Sequence, residues 1–121
     1  MSQSDPVPDR IYKIASAQAV ASADATGHFD GMPIDARDGY IHFSTASQLA
    51  ETLSLHFRDQ DGLVLLGVST SALGDALRWE PSRGGALFPH VYGPLDMSAV
   101  AWRGVVDVAA DGAVILPEGV Q

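Results

Sequence analysis

The chain has 121 residues, 46% hydrophobic and 18% charged, and its 15 acidic and 7 basic side chains give a formal net charge of -8. That length suits one domain able to bury its own core, and the composition excludes wholesale disorder. The charge repels phosphate backbones and anionic lipid at long range, and the lack of cysteine excludes disulfides, thiolate zinc sites and cysteine nucleophiles.

Met1 to Asp9 is polar, carries Pro6 and Pro8, and has neither a basic nor an apolar signal region; it is expected to be a flexible tail before a single domain at 10–121. No apolar run approaches the roughly 20 residues of a membrane-spanning helix. The expectation is a soluble, cytoplasmic protein with no membrane or nucleic-acid partner, protein partners being left open. Arg10 to Ala15 alternates as a strand. Ser16 then caps an alanine-rich helix from about Ala17 to Ala25, stopped by Gly27. The glycines, aspartates and proline between Gly27 and Gly39 predict a surface loop, with His28 and Arg37 as exposed loop residues.

Tyr40 to Ser44 predicts a strand with Ile41 and Phe43 on one face and Tyr40, His42 and Ser44 on the other. Thr45 with Gln48 forms a capping box for a helix whose apolar positions are Ala46, Leu49, Ala50, Leu53 and Phe57, with His56 at the margin of the stripe. The unbroken apolar run Leu63 to Val68 predicts a central strand covered on both faces. Ser69 to Asp75 is a connector, Ala76 to Glu80 a strand, and Pro81 to Gly85 a loop whose paired glycines permit close approach to a ligand. In Ala86 to Gly93, Phe88, His90 and Tyr92 share a face, and Pro89 predicts an edge, a bulge or an irregularity. Met97 to Trp102 and Val105 to Ala109 are expected as strands, with a turn at Asp111 and Gly112 before a last strand at Ala113 to Leu116. Two helices in the N-terminal half followed by many strands give an α+β domain on a split, largely antiparallel β-sheet.

Two strand faces carry the candidate chemistry: Tyr40, His42, Ser44 and Phe88, His90, Tyr92. Brought to one cleft, they would stack a flat ring on Phe88 or Tyr92, bond ribose hydroxyls through His42 and Ser44, and pair a phosphate with Arg83. His42, His90 and Glu80 are the acid/base candidates; a structural ion pair with Arg78 or Arg83 is the favoured reading of Glu80, and the histidines also suit bonding to sheet carbonyls. No metal is expected, since neither a His-x-His pair nor a His-Glu-x-x-His helix occurs. Nucleophile-elbow, P-loop and Gly-x-Gly-x-x-Gly motifs are also missing.

Asp38 to Thr45, Leu63 to Leu66, Trp79 to Gly85 and Phe88 to Gly93 resemble, in that order, the signature blocks of the bacterial domain-of-unknown-function family numbered 952, over about Ile11 to Trp102. The resemblance implies an ADP-ribosyltransferase-like fold with an NAD-type cleft and NAD as substrate. It implies that His42 holds the nicotinamide-side ribose, that Ser44 is the small hydroxyl residue after it, and that His90 or Tyr92 is a second cleft residue. Many such transferases place a glutamate near the end of the fold, and Met97 to Val108 contains none. The RNA 2'-phosphotransferase branch also lacks it, although the acidic charge opposes an RNA substrate. A noncatalytic module binding a small molecule or a peptide is the alternative.

Overall fold

The computed structural model describes Pro8 to Val120. Met1 to Val7, most of the expected tail, lies outside the described residues; the carbonyls of Pro8 and Asp9 accept hydrogen bonds from Thr70 Oγ1 and N at 2.8 and 2.9 Å. The described elements are β1 (Arg10–Ala15), α1 (Ala17–Thr26), β2 (His28–Phe29), α2 (Pro33–Asp38), β3 (Ile41–His42), α3 (Ala46–His56), β4 (Gln60–Ser69), β5 (Leu77–Ser82), β6 (Ala86–Val91), β7 (Leu95–Asp96) and β8 (Val100–Val108). All strand pairs are antiparallel, in the orders β1-β4-β8, β2-β7 and β3-β6-β5. The sheet is therefore split, and one pair stitches its larger halves: Tyr12 and Ser44 exchange both backbone hydrogen bonds at 2.8 Å. The architecture is α+β, as the sequence predicts, with three α-helices rather than two.

The helix caps behave as their residue types dictate. Ser16 Oγ accepts from Ala19 N at 3.1 Å, Gly27 closes α1 at φ 91°, and Gln48 Oε1 accepts from Thr45 N at 3.0 Å at the start of α3. β4 lies in the middle of its sheet: Leu66 and Val68 face a core with Ile11, Phe29, Phe43 and Leu95, while Leu63 and Leu65 face a second core with Tyr12, Leu49, Leu53 and Val106. Its unbroken apolar run thus reflects burial on both sides.

Three expectations are corrected, and at Pro89 the alternatives narrow to an irregularity. The loop at Gly27 to Gly39 contains β2 and α2; Pro33 at the first helical turn has its φ preset for a helix, and Asp35 Oδ2 accepts from Met32 N at 2.6 Å to fix the helix start. Met97–Ala99 is a 3-10 turn, capped by Asp96 Oδ1 on Ser98 N at 2.9 Å, so β8 begins at Val100 and runs unbroken to Val108. Ala113 to Leu116 makes only a single bridge, Val108 to Val114. Pro89 sits in β6, the middle strand of its sheet rather than an edge. Its carbonyl accepts from Phe43 N at 3.0 Å, so its missing donor faces β3, where the ladder ends. Toward β5 no donor is needed at this position, because the bonding residues on that side are its even-numbered neighbours.

Candidate functional site

The register of β3 on β6 sets the site. His42 lies opposite His90 and Ile41 opposite Val91, with the bonds made at odd-numbered residues; the two histidines form a non-hydrogen-bonded pair, whose side chains stand closer. Their rings are 5.5 Å apart at 70°. Tyr40 stacks on His90 at 4.1 Å and leans on His42 at 4.6 Å and Tyr92 at 5.3 Å, while the Arg78 guanidinium lies 5.0 Å from the Tyr92 ring. The polar face expected of Tyr40 to Ser44 thus meets the face expected of Phe88 to Tyr92.

A cavity of about 420 Å³ opens along this face, within the range of small-molecule sites. Its polar wall includes Lys13, His42, Ser44, His56 and His90, and its apolar wall Ile14, Phe43, Phe57 and Phe88. Of the predicted binding residues, His42, Ser44 and Phe88 reach the cavity, as does His90. Tyr92 and Glu80 are not in its wall, and the Arg83 side chain lies outside the described residues.

Behind the wall, an aspartate that sequence reasoning left in a loop organises the site. Asp35, 1% exposed at its side chain, accepts from the backbone N of His42 at 3.0 Å, faces His42 Nδ1 at 2.6 Å, and pairs with Lys13 Nζ at 2.7 Å. Burial opposes its ionisation, yet the His42 bonds and the Lys13 ammonium hold its pKa down at about 2. Burial draws Lys13 below the usual lysine range, with Asp35 acting against that pull. His42 Nε2 meets Asp38 Oδ2 at 3.0 Å, and Asp38 is held below the usual carboxylate range first by Arg37. Carboxylates therefore face both nitrogens of His42, and only the doubly protonated ring donates to both.

His90 is held separately. Its Nδ1 lies 2.7 Å from Glu80 Oε1, which also accepts from the Tyr92 hydroxyl at 2.8 Å; Nε2 has no hydrogen-bond partner among the described residues. The His90 and Tyr92 bonds lower the Glu80 pKa, and Glu80 raises that of Tyr92. Glu80 thus acts on the cavity through His90. Among the described residues, no group of three or more His, Asp or Glu side chains is arranged to hold a metal ion, and no helix is long and apolar enough to cross a membrane.

Together these features define a split-sheet α+β domain with a histidine-flanked cavity at the junction of its sheets. The chain belongs to the family described as "Protein of unknown function (DUF952)", whose model matches residues 14–103, close to the span over which the signature blocks are read. It is similar to protein CC0527 from Caulobacter crescentus: the X-ray structure is 46% identical, with a TM-score of 0.82, covering 88% of this chain and 93% of that one. The solution NMR structure of the same protein is 47% identical with a TM-score of 0.77, covering 88% and 91%. No curated protein matches the chain.

Proposed function

We propose that the cavity binds a ligand of the NAD or ADP-ribose type, in an ADP-ribosyltransferase-like frame, with Ser44 and, where a ribose hydroxyl takes the place of Asp38 at its Nε2, His42 orienting ribose hydroxyls and Phe88 stacking on a flat ring. The observation that carries this reading is convergence: four residues of the two alternating strand faces, His42, Ser44, Phe88 and His90, line one 420 Å³ cavity, and His42 is fixed from behind by Asp35. The stitched split sheet supports the fold assignment. His90 is the acid/base group, since Glu80 holds Nδ1 and leaves Nε2 for proton transfer. In the catalytic form of the reading, the bond from ribose to nicotinamide breaks, nicotinamide leaves with the electron pair, and an acceptor hydroxyl bonds to the ribose carbon as His90 takes its proton.

One observation favours the second reading, binding without turnover. β8 contains no glutamate, and Glu80 Oε1 is engaged by the protein's own His90 and Tyr92. Titration of NAD, ADP-ribose and nicotinamide by calorimetry and NMR tests the site; absence of heat together with unmoved resonances around His42 would refute it. Chromatographic detection of released nicotinamide separates the enzyme from the binding module.

A further inference from the structure

The cavity reverses the charge character of the chain around it. The sequence has 15 acidic residues, yet no carboxylate belongs to the described cavity wall, whereas Lys13 and three of the four histidines do, His42, His56 and His90. Lys13 is the telling member. Its side chain is 5% exposed, so it is cut off from bulk water. Of its three N–H donors, Asp35 Oδ2 engages one, and no second hydrogen-bond partner exists among the described residues. A buried ammonium with donors unused is costly unless something at the wall completes them. Asp35 cannot be that group for the remaining donors, because it also serves His42 and Met32.

We propose that Lys13 marks an oxyanion subsite, in which a phosphate group of the ligand enters the cavity and accepts from Nζ, with Ser44 and His56 as further donors in the same wall. This rests on the ADP-ribose-type reading and adds which part of the ligand is buried: the phosphate is held inside at β1, rather than outside by the loop at Arg83. A small sugar phosphate fits such a wall, with the anion at Lys13 and the sugar hydroxyls within reach of His42.

The test titrates ribose 5-phosphate, inorganic phosphate, ADP-ribose and uncharged ribose into the wild type, Lys13→Gln, and the double variant Lys13→Gln/Asp35→Asn, which leaves no buried charge unpaired. Phosphate-bearing probes are expected to weaken about 10- to 100-fold in Lys13→Gln while ribose is unchanged, the size of a lost charge-assisted bond; in the double variant, where His42 also loses its Asp35 carboxylate, phosphate-bearing probes are expected to weaken more than ribose does. A purely structural role would weaken all probes alike and overturns the proposal. Should the variants fail to fold, the wild type decides: inorganic phosphate must shift the Lys13 side-chain resonances, and unmoved resonances overturn the assignment. ADP-ribose bound equally by wild type and folded variants refutes the Lys13 subsite and leaves the ribonucleotide reading standing. Inorganic phosphate bound through Lys13 without any binding of ADP-ribose supports the subsite and refutes that reading.

Discussion

Asp35→Asn is the most informative single change, because one carboxylate joins three elements. It accepts from Met32 at the start of α2 and from His42 on β3, and it pairs with Lys13 on β1. Held at about 2 against an ordinary 3.8, its carboxyl contributes about 2 kcal/mol to stability at neutral pH, at 1.36 kcal/mol per pH unit. The folded form is the stronger acid, so this contribution is fully present above the unfolded value and disappears as pH falls through the folded one. About 1 kcal/mol is already lost at pH 3. The amide leaves the Lys13 ammonium buried without its counter-charge and presents N–H groups to donors, so the expected cost at pH 7 is about 3–5 kcal/mol. Urea unfolding at pH 7 and pH 3, with Lys13→Met and the double variant closing a cycle, measures both quantities. A cost under about 1 kcal/mol, or the same loss of stability in acid for variant and wild type, refutes the reasoning.

Gly31→Ala should reach the same group indirectly. Gly31 has φ 110°, and a Cβ there would stand 2.8 Å from Asp35 Cβ, so a loss of about 1–3 kcal/mol and displaced His42 resonances are expected. Leu53→Ala in α3, fully buried, should cost about 2–5 kcal/mol by denaturant unfolding, while Leu55→Ala, 51% exposed, should cost under about 0.5. Glu80→Ala leaves the buried Nδ1 of His90 without its partner, so a loss of about 1–3 kcal/mol by thermal melting and weaker binding of the cavity ligand are expected, and unchanged affinity would show that His90 needs no such support.

Local chemistry made much of the fold legible. Ser16, Gly27 and the Thr45 to Gln48 pair mark helix ends, and the double-sided burial of β4 leaves an unbroken apolar run. The face of β3 also followed from alternation, since Ile41 and Phe43 are buried and His42 faces His90. α2 escaped because its six residues are too few for a helical period, which left Pro33, the spacing of Asp35 from Met32 and the closing Gly39 as its signals. Asp35 and Lys13 escaped for a deeper reason. Their pairing joins β1 to α2 across the fold, and no spacing rule connects residues on separate elements. Read singly, an aspartate in a glycine-rich stretch looks like turn chemistry and a lysine in a strand like its solvent face.

Pro89 links sheet geometry to the cavity. An amide at this position would complete the bonded pair with Phe43, whose N already donates to the Pro89 carbonyl. Lacking it, the ladder between β3 and β6 stops after His42, and two residues later Ser44 pairs with Tyr12 of β1 instead. The chain leaves one half-sheet for the other at the place where Ser44 and Phe88 face the cavity. Pro89→Ala restores the donor and should extend the ladder by one bond, drawing β3 along β6 and narrowing the gap. Two results are expected: an amide at 89 protected from hydrogen exchange, and weaker binding of the cavity ligand with the fold retained. An amide that exchanges freely would mean that Phe43 diverges for reasons of its own packing, and that the proline follows the opening of the sheet instead of causing it.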